Sequence, residues 1–416
     1  MRRYLFATIL LAAAACDRAA SPGQYLYVWA GDSAAKASDF LAVIDANPAS
    51  AKYGSVVTSL PTGVVGTHPH HTEAEMPADG HLLANGFHAG RTWLFDLTDP
   101  LKPKILDSFG DVAGYGYPHT YLRLADGNVL STFQYKADSS PKEMTMPAHG
   151  GMWLGGVHAT GGLVEMDERG HVIRSGSAAD SSVPGKFISP YSVVALPAAD
   201  RAVSTTTDMD QADTSQTAEW IQFWRLSDLK LLKSIALKPG PGGHENELTG
   251  EPHLLPDGKS VYIHTFSCGL YLVRGADGPA PRATFVHRFR GHGCGVPILT
   301  GHFWLQTLGS EHALVAMDIA DPEHPREVSS VSFADDEAPH WIAIDPGGRR
   351  VVLNSGGYAK GDRLFVIDFD PATGALAIDG KFRDAGSERP GVNLSQRVWP
   401  HGFTGTAAPH GTVFSR

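Results

Sequence analysis

The sequence is poor in cysteine and in charge. Three cysteines occur in 416 residues, and one of them, Cys16, closes an apolar N-terminal run, so Cys268 and Cys294 can form at most one disulfide. Charged residues are only 19% of the chain, the net charge is −10, and no basic stretch is interleaved with aromatics. Nucleic acid is therefore not the expected partner. A Gly-rich loop between a strand and a helix is also missing, which disfavours nucleotide chemistry. No segment keeps a helical period, and beyond the N-terminus no apolar run is long enough to span a bilayer.

The N-terminus reads as a processing signal. Arg2-Arg3 precede an apolar run at positions 4–15, too short for a mature transmembrane helix, and Ala13-Ala14-Ala15-Cys16 looks like a bacterial lipobox. The expected division is a lipoprotein-type signal over residues 1–16, a tether over 17–24 and one domain over 25–416. The alternative is an ordinary secretory peptide cleaved near Ala20. Both imply export, the first to a periplasmic, membrane-tethered position with lipidated Cys16 as the hold on the bilayer. An oxidising compartment permits a Cys268–Cys294 bridge, although spacing alone cannot establish one.

What the sequence has in abundance is short β-type runs, tight turns and histidine. Glycine (46) and proline (28) punctuate apolar runs rich in Val, Ile, Phe, Tyr and Trp. Asp-Gly pairs at 79–80, 126–127 and 257–258, and Asp-Pro pairs at 99–100 and 321–322, fall between these runs. The clearest unit starts at Pro339-His340-Trp341 and continues through strands near 350–354, 364–371 and 375–382. Weaker copies fill the chain. The expected fold is an all-β, seven-bladed β-propeller, because a fixed repeat overrides the multi-domain prior that this length suggests. The first unit, 25–60, lacks an inner strand. The C-terminal Trp399-Pro400-His401 segment is expected to complete it and so close the ring.

Pro-His steps recur at Pro69-His70, Pro118-His119, Pro252-His253, Pro339-His340 and Pro400-His401. His119 and His340 each precede their turn by seven residues, Tyr191 sits similarly, and His70 and His71 lie nine and eight residues before Asp79-Gly80. His292 lies nine before Gly301. In a propeller, equivalent positions of the inner strands form a ring around the hub. His70, His71, His119, His340, His401, His292 and His253 are therefore candidate metal ligands, since neutral imidazole suits Cu, Zn, Fe and Ni. His253 is only four residues from its turn, so His244 or Glu251 could take its place. Glu73 and Glu75 are candidate acceptors that orient the paired histidines. For any single histidine, capping a turn is the plainer explanation; it is the recurrence that points to a common site. Cys294 is a copper ligand or half of a disulfide. Glu245 and Glu247 form an acid–base pair or a solvated loop. The insertion 136–161, with Met144, Met146, His149, Met152 and His158, is a surface loop or a lid over the hub.

On these residues the chain resembles the selenium-binding protein / methanethiol oxidase family. The segment 39–48 looks like that family's opening strand and acidic-proline turn, and His70-His71, His119 and His401 match its histidines. The resemblance implies copper and the oxidation of methanethiol, a small thiol, to formaldehyde, hydrogen sulfide and hydrogen peroxide. Human-type members carry cysteines soon after the histidine pair. Here Thr72-Glu73-Ala74-Glu75 follows, which removes that thiol but not the imidazoles. The competing class is a non-catalytic, lipid-anchored propeller that binds a protein or glycan, because fold does not fix function.

Overall fold

The computed structural model describes residues 23–137, 159–183, 188–209, 218–357 and 362–416. The chain folds as an all-β propeller of seven antiparallel sheets, with no α-helix among the described residues. Blade 2 comprises strands Pro69–Thr72, His81–Gly86, Arg91–Asp96 and Lys104–Phe109. Blades 3 to 7 begin with Tyr115–Arg123, Pro190–Leu196, Thr249–Leu254, Cys294–Thr300 and Trp341–Ile344 and run outward in chain order. In blade 7 the short strand Val392–Asn393 also pairs with the third strand, Arg363–Phe369. The insertion 136–161 falls largely outside the described residues, and so does the segment around Cys16.

Local chemistry explains the elements. At the Asp-Gly turns the glycines take the left-handed conformation, as at Gly80 (φ +79°) and Gly127 (φ +88°). The Asp79 and Asp126 carboxylates accept the amide N–H two residues on, at 3.0 Å each. Asp99 and Asp321 do the same after their strands. Middle strands are buried throughout, as in Val261–Thr265 and Phe303–Leu308, because neighbouring blades cover both faces. Outermost strands such as Val172–Ser177 are mostly exposed.

Ring closure is as expected in kind but not in the residues used. Blade 1 consists of Tyr25–Asp32, Ser38–Asp45 and Val56–Val65, and its inner strand is Ala407–Phe414, paired with Tyr25–Asp32. His401 lies before that strand. Its Nδ1 is 2.7 Å from the Ser59 hydroxyl on the outermost strand of blade 1, and its ring packs on Phe40. The inner strands of all seven blades touch one another in ring order.

Cys268 and Cys294 are joined in a disulfide, with Cα atoms 5.1 Å apart. This ties a turn of blade 5 to the inner strand of blade 6. Cys294 is thereby a bridge partner and not a metal ligand.

Candidate metal centre

Six inner strands carry the same irregularity. Their ladder registers slip between Pro69 and Thr72, Pro118 and Tyr121, Pro190 and Val193, Thr249 and Pro252, and Cys294 and Pro297. In blade 1 the slip falls opposite Val28 and Ala30, between Pro409 and Thr412. Each slip is a β-bulge, which bends a strand and re-aims its side chains. The residues inside the bulges are His70-His71, His119-Thr120, Tyr191-Ser192, Gly250-Glu251, Gly295-Val296 and His410-Gly411. His340 immediately precedes the inner strand of blade 7, and its N–H donates to the Asn354 carbonyl. The hub ring is built from these positions.

Backbone groups freed by the bulges are met by buried amides from second strands. The Asn85 Oδ1 accepts the His71 N–H at 2.7 Å, and its Nδ2 donates to the Pro118 carbonyl at 2.6 Å. Asn354 donates to the His410 carbonyl at 2.8 Å and Gln134 to the Pro190 carbonyl at 3.1 Å. Each of these amides bonds to the bulge of the next blade, so the hub is held from behind.

Imidazoles converge at the centre. His70 Nε2 and His119 Nε2 are 3.0 Å apart, and one ligating atom from each of His70, His71 and His119 lies within 4.8 Å of the others. The His410 ring is 4.0 Å from that of His70, and the His340 ring is 5.0 Å from that of His410. The His119 Nδ1–H donates to the Tyr191 carbonyl at 2.8 Å, which fixes the tautomer and leaves the Nε2 lone pair facing His70. His71 Nε2 and His70 Nδ1 are buried with no hydrogen-bond partner among the described residues. Tyr191, Trp341 and Phe87 wall the cluster, with ring centroids 4.0 Å from His119, 4.8 Å from His71 and 5.9 Å from His70 respectively.

Burial sets the protonation state. It pushes His119 down to about 3 and His340 to about 4. Burial first, and then the neighbouring imidazoles, hold His70, His71 and His410 well below the ordinary histidine range. The imidazoles are therefore neutral near pH 7, the form that binds metal. Two nitrogens, each about 2.0–2.1 Å from a shared ion, lie about 3 Å apart when the angle between them is near 95°. The His70–His119 separation, the neutral all-nitrogen donor set and the buried partnerless nitrogens thus fit a transition ion that favours imidazole.

Among the described residues, one carboxylate reaches the centre. Glu251 Oε1 lies 4.0 Å from His71 Nδ1 and Oε2 accepts the Ser192 hydroxyl. Burial raises Glu251 to about 7.

Of the expected ligands, the structure brings together His70, His71 and His119, with His340 alongside, and leaves out three. His401 is at the outer edge of blade 1, as described above. His292 is exposed in the loop before Cys294. His253 packs edge-on against Trp304, at 5.1 Å, between blades 5 and 6. The reason for the last is register. In blades 1 to 4 the proline comes before the bulge; in blade 5, Pro252 comes after it. His253 is therefore equivalent to Glu73, and Glu251 takes the hub position. Glu73 does not orient the histidine pair: its carboxylate accepts the Leu83 N–H and pairs with Arg123 at 2.9 Å. Glu75 is exposed, and the buried Glu245 carboxylate caps its own loop through Gly242 N–H. His410 was not singled out from the sequence, yet Pro409-His410 repeats the same Pro-His step.

No protein-family model matches the chain. It is similar to a methanethiol oxidase of Hyphomicrobium sp., 36% identical over 110 residues, 24% of each chain. It is also similar to selenium-binding protein 2 of Arabidopsis thaliana, 31% identical over 107 residues, 22% of each chain. The chain thus covers about a quarter of the length of these curated relatives. A hypothetical selenium-binding protein from Sulfolobus tokodaii shares the fold with a TM-score of 0.71 and 18% identity, over 95% of this chain and 94% of that one. A periplasmic gluconolactonase of Pseudomonas aeruginosa does so at 0.61 and 16%, over 94% and 99%. At such identities these two likenesses concern the fold alone.

Proposed function

We propose that the protein is an exported, copper-dependent oxidoreductase that oxidises a small thiol with dioxygen, as a methanethiol oxidase does. For methanethiol the balanced change is one thiol, one dioxygen and one water giving formaldehyde, hydrogen sulfide and hydrogen peroxide. The observation that carries this reading is the convergence of His70, His71 and His119 within 4.8 Å, inside a chain partly similar to a methanethiol oxidase. His70, His71, His119 and His410 would hold the ion, with His340 next to them. Copper, when bound, supplies a soft position for sulfur and one-electron chemistry towards dioxygen.

The chain's own residues do the rest. The Tyr191 carbonyl fixes His119 so that its Nε2 faces inward. Tyr191, Trp341 and Phe87 keep water from the cluster and offer a wall against which a methyl-sized group can pack. Glu251 Oε1 stands beside His71, placed to take the proton that a thiol gives up on binding, while the Ser192 hydroxyl holds the other oxygen. Export is part of the proposal: the Cys268–Cys294 bridge is of a kind that persists in oxidising compartments, and lipidation at Cys16 would keep the protein at the membrane.

The test is metal analysis beside oxygen uptake. Protein isolated from the periplasm should carry copper and consume oxygen with methanethiol. His71→Ala and His119→Ala should lose both copper and activity while keeping the wild-type β-sheet spectrum. Stoichiometric copper without thiol oxidation would remove the substrate assignment. Absence of any metal would move the weight to a lipid-anchored scaffold that binds a protein or glycan.

A further inference from the structure

A second histidine pair stands just outside the hub. His68 Nδ1 and His88 Nε2 are 3.2 Å apart, and the rings are 4.2 Å apart. The His68 ring is 5.5 Å from that of His70, and Phe87 touches both His88 and His70. Both residues of the pair are half-buried, whereas His70 is fully buried. Passing from His88 through His68 to His70 therefore leads from partly exposed imidazole to the enclosed cluster.

The pair is a built feature and not a chance contact. His68 has a left-handed backbone (φ +57°), uncommon for a residue other than glycine, and its surroundings hold it there. The buried Asp39 carboxylate accepts both the N–H and the hydroxyl of Thr67 at 2.6 Å each, which fixes the residue before His68. The His68 carbonyl then accepts the Phe87 N–H at 3.0 Å, and the Thr67 carbonyl accepts the His88 N–H at 3.1 Å. Two backbone hydrogen bonds thus hold the two histidines side by side, with ring nitrogens facing.

We propose that His68 and His88 form a second, outer metal site for an imidazole-preferring transition ion, distinct from the hub cluster. The proposal extends the hub reading, but its ligands are separate. Without metal the facing nitrogens share one proton in an N–H···N hydrogen bond; when an ion enters, the donor ring carries that proton on its other nitrogen, so both rings stay neutral and both facing lone pairs meet the ion. A nitrogen separation of 3.2 Å suits two ligands on one ion, about 2.0–2.1 Å from each, at an angle near 100°.

The experiment counts ions. The full chain is stripped with a chelator, reloaded with Cu(II), and freed of loosely held ion by gel filtration. Wild type should retain two ions per chain. His88→Gln and His68→Asn should each retain one; asparagine tolerates the left-handed backbone, so the second variant keeps the clamp. His119→Gln should also retain one, and His88→Gln/His119→Gln none. If wild type holds no more copper than His88→Gln and His68→Asn, the outer site does not exist. If His119→Gln alone fails to lose an ion, the hub reading fails while the outer site stands.

Discussion

At the scale of residues, the same imidazole side chain takes three different environments here. In the hub it is neutral and faces other imidazoles. In surface turns it pairs with carboxylates, as His324 does with Asp321 at 2.9 Å. Between blades it is packing: His253 lies against Trp304 and is lowered to about 4 by burial. The last case gives a pH prediction. A histidine whose folded pKa is depressed from 6.5 to about 4 contributes stability that is complete above the unfolded value and lost as pH falls through the folded one. Below pH 6.5 the unfolded chain takes up a proton that folded His253 refuses. His253→Gln should therefore lose less stability than wild type between pH 6.5 and 4, by up to about 1.4 kcal/mol per pH unit for one proton. Urea midpoints at pH 7, 6 and 5 check this. Parallel losses in the two proteins would show that His253 titrates normally in the fold.

The informative element is the bulged inner strand. A regular strand alternates its side chains, so consecutive His70 and His71 would point to opposite faces. The bulge lets both approach His119. Asn85 holds this geometry, being fully buried and bonded to the His71 N–H on one blade and the Pro118 carbonyl on the next. Asn85→Ala leaves two buried backbone groups without partners and should cost about 2–4 kcal/mol. It should also weaken copper retention by well over tenfold, because the histidine pair loses its support. Chemical denaturation and equilibrium dialysis would read the two effects. A variant with wild-type copper affinity would show that the bulge is held by the ladder alone. Gly250 shows the same economy of space, since a Cβ there would lie 2.1 Å from the His264 ring.

For the whole molecule, closure is the decisive feature. The strand Ala407–Phe414 completes blade 1, carries His410 into the hub, and accepts the Trp341 indole N–H at the Thr412 carbonyl (2.9 Å). A chain ending at residue 406 would expose the edge of Tyr25–Asp32 and lose one wall of the site. It should aggregate or unfold at a markedly lower temperature, and it should not retain copper. A monomeric truncated protein with the wild-type melting temperature would refute that role. At the other end, Cys16→Ser should move the exported protein from the membrane fraction to the soluble periplasm, since no helix among the described residues is long and apolar enough to span a bilayer. Wild type already found wholly in the soluble fraction would exclude the anchor.

The fold was legible in the sequence because its signals are local. Turn residues, β-branched runs and a repeat each act over a few positions, and the missing inner strand of the first unit announced closure from the C-terminus. The hub was legible in part for the same reason: Pro-His steps led to His70, His71, His119 and His340. The failures are failures of register. Pro252-His253 and Pro400-His401 carry the same two residues as the steps that reach the hub, but one follows its bulge and the other precedes its strand, and neither difference can be seen in a dipeptide. Pro409-His410 carries the same step and does reach the hub. Glu251 was legible as an alternative to His253, whereas the Tyr191 carbonyl and Asn85 have no local mark, because what selects them is the next blade. Sequence determined which strands form; only the packing of the seven blades into a ring decided which side chains meet.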